Sequence, residues 1–233
     1  MDNKEMFFPN SLNKTILVIA PHADDETLGC GGAILKYILN GFDVHWCLVT
    51  YPQSPEFSDN DIGDRKLIIN KVKEAYGVKS FHSLGFKPAT LTPNDKPALI
   101  NRFSKLYSKL IVSTIFVPHR NDAHSDHGIV FDAAVAASKW FRSATVRNII
   151  SYETLSETEF QMRPGEGYFS PNFYLDISEE IERKCQIMSL YNTELGEFPF
   201  PRSTEAIRAL SQFRGVQCGS KAAEAFQILK SIA

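Results

Sequence analysis

Two short stretches of this sequence bring together residue types that do chemistry jointly. The first is Pro21-His22-Ala23-Asp24-Asp25-Glu26, followed by Gly29-Cys30-Gly31-Gly32. The second is Pro118-His119-Arg120-Asn121-Asp122-Ala123-His124-Ser125-Asp126-His127, which holds three of the chain's six histidines. An imidazole beside consecutive carboxylates at the exit of an apolar segment is costly unless something binds the charge. A divalent cation does so, and imidazole with carboxylate suits zinc. A helix N-terminus explains one acid, since Asp and Glu favour the first turn, and Glu26 fits that capping role. It does not explain His22 and three consecutive acids. The second cluster alone also reads as a polar loop ending in an Asp N-cap; its pairing with the first points to a metal site. The glycines do not make a dinucleotide fingerprint, because GxGxxG from Gly29 needs glycine where Ile34 stands. They suit close packing of a helix on a sheet.

The elements that must position these clusters alternate between β-rich and amphipathic runs. Thr15–Ala20 reads as a strand covered on both faces, followed by a helix over about Glu26–Leu39. Asp43–Thr50 is a strand, Asp64–Tyr76 a helix stopped by Gly77, and Lys79–Leu84 a shorter strand. Lys96–Leu110 is helical and feeds the strand Ser113–Val117; a helix follows over Asp126–Phe141. Arg147–Glu153 and Asn172–Ile177 are two further strands, and Ser178–Ala233 is helical in pattern. Repeated β-α units predict an α/β fold: a doubly wound, mostly parallel, Rossmann-like sheet with helices on both faces. The expectation is one domain over residues 1–233, with a core at about 14–154 and a C-terminal strand and helical part at about 155–233. Such sheets bind ligands beyond the carboxyl ends of their strands, where strand order reverses. Both clusters directly follow strands, so both can face one crevice.

Composition narrows the class. The 233 residues carry 25 Lys+Arg and 27 Asp+Glu, a net charge of -2, with 43% hydrophobic and 22% charged residues. These are globular values, which exclude a disordered chain, a collagen-like fibre and a coiled coil. Scattered basic residues argue against nucleic acid as a partner. Apolar runs such as Ile16–Ala20 and Ile111–Val117 fall far short of the ~20 residues of a membrane span. Met1-Asp2-Asn3-Lys4-Glu5 does not open a signal peptide. Cys30, Cys47, Cys185 and Cys218 form no CxxC and read as reduced thiols of a cytoplasmic protein. His45 and His82 lie inside strands and read as packed residues, and His119 is given no ligand role.

His22-Ala23-Asp24-Asp25-Glu26 with Gly31-Gly32, followed later by His124-Ser125-Asp126-His127, resembles the PIG-L/LmbE-type zinc-dependent N-deacetylases along most of the chain. The resemblance implies zinc, or another divalent cation, on His22, Asp25 and His127. It implies Asp24 as general base, and His124 as the group that polarises the carbonyl and protonates the leaving amine. Asp126 is similar to the carboxylate that orients His124, and Arg65 to a substrate-contacting arginine. Three positions depart from the family pattern. Ala23 replaces a proline, Ile68 stands where an acid often follows the arginine, and Asp122 stands where some members have Tyr. The first leaves the metal site intact, and the other two bear on substrate contacts, where Asp122 is placed. Three protein ligands would leave an open zinc position for water, whose pKa the metal lowers toward ~7.

Two C-terminal stretches complete the expectation. Ser151–Phe160, leading into Gln161-Met162-Arg163-Pro164-Gly165, mixes aromatics, hydroxyls and acids as sugar recognition requires, with Glu153 as a substrate contact; a solvated loop is the alternative. Ser203 is an N-cap candidate, and Arg202, Arg208 and Arg214 could bind a phosphate or nucleotide or hold a subunit contact; Arg202 is placed at the substrate. A similar Pro-Arg-Ser stretch and later Arg-Gly occur in a bacterial family branch of polysaccharide or specialised sugar synthesis. The expected reaction is hydrolysis of an N-acetyl group on a small amino-sugar substrate, free or nucleotide-linked. C-terminal helical surfaces leave room for a homo-oligomer. Rivals are a metal-dependent hydratase of the same fold, a non-catalytic sugar-binding protein, and an iron(II) oxygenase using His22, Asp24 and His127, a triad that usually sits on an all-β fold.

Overall fold

A computed structural model describes residues 14–162 and 167–232. Met1–Glu5 and the Arg163-Pro164-Gly165 part of the expected sugar-recognition stretch therefore lie outside the described residues. The strands are β1 (Thr15–Ala20), β2 (Asp43–Thr50), β3 (Ser80–Phe86), β4 (Thr114–Pro118), β5 (Asn148–Tyr152), β6 (Phe173–Asp176) and β7 (Ala223–Lys230). The helices are α1 (Asp25–Leu39), α2 (Asp59–Tyr76), α3 (Lys96–Leu110), α4 (Ser125–Ala137), α5 (Ile181–Met188) and α6 (Thr204–Cys218). The seven strands form one sheet in the order β3-β2-β1-β4-β5-β7-β6. The first five pair in parallel, and β7 runs antiparallel to both β5 and β6.

The period-2 alternation of β1 explains the two layers. Ile16, Val18 and Ala20 pack with α1, α2 and α5, while Leu17 and Ile19 pack with α3 and α4 on the opposite face. The chain leaves β1 toward β2 and β3, then returns through α3 to β4 on the other side of β1. The β1 and β4 exits are thus the switch point of the sheet, and the two chemical clusters sit there. This α/β sheet removes the all-β scaffold on which the oxygenase rival depended. Among the described residues no helix is long and apolar enough to cross a membrane.

The glycines of α1 set how closely that helix approaches. A Cβ on Gly29 would lie 2.2 Å from Tyr152 Cδ2, and one on Gly32 would lie 2.6 Å from Ile177 Cγ2. A buried ion pair enters beside them: Lys184 Nζ lies 2.7 Å from Glu224 Oε1 and donates to the Leu28 carbonyl at 2.8 Å. Glu224 accepts the Gly32 and Ala33 N–H groups at 2.8 and 2.7 Å. The pair ties α1, α5 and β7 together.

The three larger differences from the sequence reading have local causes. α2 begins at Asp59 rather than Asp64, because Ser58 and Asp61 form a reciprocal capping box before the apolar face starts. α4 ends at Ala137 rather than Phe141: the Ser138 hydroxyl donates to the Val135 carbonyl, and Trp140 and Phe141 are exposed. The largest difference is β7, which lies in a stretch read as helical. Its Ala-Glu-Ala-Phe-Gln-Ile-Leu-Lys sequence is rich in helix formers. Gly219, in the left-handed conformation, ends α6 and turns the chain, and Phe226 then enters the sheet opposite both Tyr152 and Phe173.

Candidate active site

His22 follows β1, Asp25 opens α1, and His127 lies in the first turn of α4. Their donor atoms all lie within 4.8 Å of one another. Asp25 Oδ2 stands 3.3 Å from His22 Nδ1 and 3.3 Å from His127 Nε2, and accepts the His22 backbone N–H at 2.8 Å. His127 Nδ1 lies 2.7 Å from Asp122 Oδ2, while Asp122 Oδ1 accepts the Thr158 hydroxyl at 2.6 Å. Burial opposes charge on His127, but Asp25 and Asp122 hold its pKa well above the usual value. With a cation in place of that proton, a donor bond from Nδ1 to Asp122 would leave the Nε2 lone pair free. That nitrogen is buried and makes no hydrogen bond of normal geometry. A carboxylate behind the imidazole and a bare nitrogen in front fit a metal ligand. Protons otherwise stabilise the cluster. Burial works against charge on His22, but the bonds to Asp126 and Asp25 push its pKa up to about 9. Burial likewise opposes charge on Asp25, yet His127 and His22 hold its carboxyl well below the usual range.

Asp24 occupies the N-cap of α1 with φ 150° and ψ -28°, a backbone conformation costly for a residue with a side chain. Its N–H donates to Glu26 Oε2 at 3.2 Å, and its carbonyl accepts the Thr27 and Leu28 N–H groups at 2.9 and 2.8 Å. Glu26 is itself fully buried and accepts the Thr27 and Tyr191 hydroxyls at 2.6 and 2.7 Å. Burial, then the charge of Asp25, raises the Asp24 carboxyl well above its usual value.

His124 caps the N-terminus of α4, its Nδ1 accepting the Asp126 N–H at 3.1 Å. A backbone N–H can only donate, so Nδ1 carries the lone pair and the ring proton sits on Nε2. Burial, then the neighbouring His22, pushes the His124 pKa down to about 4. The Asp126 carboxylate was expected on His124. It instead accepts the Ala89 and Leu91 N–H groups at 2.8 and 3.1 Å and lies 3.1 Å from His22 Nε2. His22, His124 and Asp126 also cluster closely, but these bonds already occupy both Asp126 oxygens and His124 Nδ1. The His22–Asp25–His127 set is the better cation site.

These groups open into a cavity of about 300 Å³ lined by His22, Asp24, Asp25 and His124. Arg65, Glu194 and Arg202 form its charged rim, and Leu28, Pro52, Phe57 and Pro88 give it apolar walls. A model of the PIG-L family, described as GlcNAc-PI de-N-acetylase, matches residues 17–138, which span both clusters. The chain belongs to the PIG-L family. The diacetylchitobiose deacetylase of Thermococcus kodakarensis is 22% identical over 231 residues, covering 94% of this chain and 84% of that protein. The solved N,N'-diacetylchitobiose deacetylase of Pyrococcus horikoshii superposes with a TM-score of 0.76 at 18% identity, over 98% of this chain and 89% of that one. The 4-carboxy-2-hydroxymuconate hydratase of Pseudomonas putida superposes at 0.72 with 16% identity, over 94% and 97% of the two chains. Solved neighbours of this fold thus include both a deacetylase and a hydratase, and the likeness of architecture does not choose between them.

Within this PIG-L site the expected substrate contacts divide. Arg65 reaches the rim from α2, donating to the Ala23 carbonyl at 3.4 Å and to Glu194 Oε1 at 2.5 Å. Arg202 arrives from the segment before α6, its Nη1 3.9 Å from Asp24 Oδ2 and its Nε donating to the Glu194 carbonyl at 2.9 Å. Asp122 does not face the cavity: it is 1% exposed and bonded to His127, so it stands behind a candidate ligand. Glu153 is likewise turned away, in a two-bond ion pair with Arg214 at 2.8 and 2.6 Å. Arg208 is spent on Glu182 at the surface. His45 and His82 both bond Ser80 Oγ at 2.6 Å, outside the site. Glu194, which joins the two arginines, carried no signal in the sequence: it is one acid in a polar loop, 129 residues from Arg65.

Proposed function

We propose that this chain is a metal-dependent N-deacetylase acting on an amino sugar, with zinc the cation its donor set suits best. The observation behind this reading is one cavity in which Asp24 and His124 flank the His22–Asp25–His127 donors. A divalent cation held by those three side chains would supply Lewis acidity to water and to the amide carbonyl. Asp24, at the cavity wall, takes the proton of the attacking water. His124 donates its Nε2–H to the carbonyl oxygen as negative charge builds there, a contact worth several kcal/mol in a dry site. With Nδ1 already accepting from Asp126, His124 has one ring proton and uses it as a hydrogen-bond donor. The leaving nitrogen therefore receives the proton held on Asp24 as the C–N bond breaks, giving acetate and the free amine. Arg65 and Arg202 are aimed at substrate hydroxyl or anionic oxygens, and Phe57 and the prolines cover an apolar ring face. This fits an N-acetylated sugar, free or nucleotide-linked.

The test is release of primary amine from a panel of N-acetylated sugars and nucleotide sugars by the zinc-loaded protein. Asp24→Asn should lower kcat by about 10²–10⁴ while retaining bound zinc. No amine from any panel member, with zinc bound and the fold intact, would move the reading to hydration of a C=C bond.

A further inference from the structure

We propose that the chain carries a second carbohydrate site, outside the catalytic cavity, that takes a neutral pyranose ring. It lies between the loop that follows β5, the N-terminal side of β6 and helix α6. The cavity there is about 290 Å³, almost the size of the catalytic one and at the lower end of the range for small organic ligands. Phe169, Tyr168 and Phe213 line it, the last two 65% and 58% exposed. Flat aromatic faces at a cavity mouth suit the C–H face of a sugar ring.

A buried polar atom in the same wall points to hydroxyl recognition. Thr154 is 1% exposed, and its Oγ1 makes no hydrogen bond among the described residues. Gln161, by contrast, is engaged within the protein: its Nε2 donates to the Gly167 carbonyl at 3.2 Å, and its side chain hydrogen-bonds His119. A buried hydroxyl left unpaired costs about 1–3 kcal/mol, which a ligand hydroxyl recovers.

Charge excludes a phosphate. Arg214 is the cavity's guanidinium, and Glu153 neutralises it through two hydrogen bonds. Glu159, also in the wall, adds an acid. A neutral polyol fits this balance and a nucleotide does not. A second copy of the chain would cover the exposed aromatics, but it would leave the buried Thr154 hydroxyl without a partner. The loop faces both cavities, with Ser156 and Glu157 toward the catalytic one and Thr154 and Thr158 toward this one.

The test uses methyl glycosides of glucose, galactose and mannose, which have no N-acyl group, so binding is read without metal or turnover. Ligand-observed NMR and calorimetry should show saturable binding by the full chain to at least one of them. Arg202→Ala, at the catalytic cavity, should leave that affinity unchanged. Phe213→Ala, which removes an exposed ring, should weaken it about tenfold, and Thr154→Val, which removes the buried hydroxyl, by a similar factor. No saturable binding to any of the three glycosides overturns the proposal. So does binding that Arg202→Ala abolishes and Phe213→Ala leaves intact. A stable dimer that Phe213→Ala dissolves, with no sugar binding, assigns the face to a second copy instead.

Discussion

Glu194 touches two guanidiniums that no local feature of the chain would bring together. Its Oε1 takes Arg65 at 2.5 Å, and its Oε2 lies 3.6 Å from Arg202 Nη2. Each arginine is thereby fixed at the cavity rim with part of its donor fork still available, which is what orienting a substrate requires. Glu194→Gln keeps the shape and removes the charge. It should raise KM about tenfold with kcat changed less, because Glu194 acts on Asp24 only through its charge and through Arg202. Steady-state kinetics decide this, and an equal fall in kcat with KM unchanged would place Glu194 in the chemistry instead. The contrast with Asp122 shows where residue-level reading stops. His22, Asp24, Asp25, His124 and Arg65 do gather at one cavity because they follow strands or lie on helices that open at the switch point, and Arg202 joins them from the turn before α6. Sequence supplies residue types and spacing, but not the direction of a side chain. Asp122 and Glu153, both acids near the right strands, therefore look like substrate contacts until their partners, His127 and Arg214, are seen.

At the scale of elements, the informative case is the contact of α1 with β7 through Lys184 and Glu224. Both side chains are about 4% exposed, so their charges are held almost entirely by each other and by the backbone of α1. Lys184→Met keeps the length of the stem but leaves the Glu224 carboxylate buried without its cation. Breaking a buried pair in this way costs about 3–5 kcal/mol, read from the midpoint of urea unfolding. A loss under about 1 kcal/mol would mean that Glu224 is held by the Gly32 and Ala33 amides alone. This contact was invisible in the sequence because β7 itself was misread. Its helix-forming composition argued one way, and pairing with β5 and β6 overrode it. β1, β2, β4 and β5 were legible because each is a largely apolar run of strand length bounded by turn residues. β3 is short of apolar residues, and the sequence reading stops two residues before its end. The helix starts were less so: a polar first turn, as in α2, carries no apolar period.

Over the whole molecule, the candidate metal ligands join segments far apart in the chain. His22 and Asp25 belong to the β1–α1 junction and His127 to α4, on opposite layers of the sheet. A cation that binds only when these are assembled stabilises the folded state by mass action. At a free concentration 100 times its dissociation constant the gain is about 2.7 kcal/mol, or roughly 5–11 °C in Tm for a domain of this size. Adding zinc to chelator-treated protein should produce a shift of that order in a thermal melt. His127→Ala should abolish the shift. Asp122→Asn, which keeps the ligand but weakens the carboxylate behind it, should reduce metal affinity about 10–100-fold, so the melt responds only at correspondingly higher zinc. The shift depends on binding alone and not on finding the substrate. A zinc response that survives His127→Ala would place the cation elsewhere, and with it the chemistry assigned to Asp24 and His124.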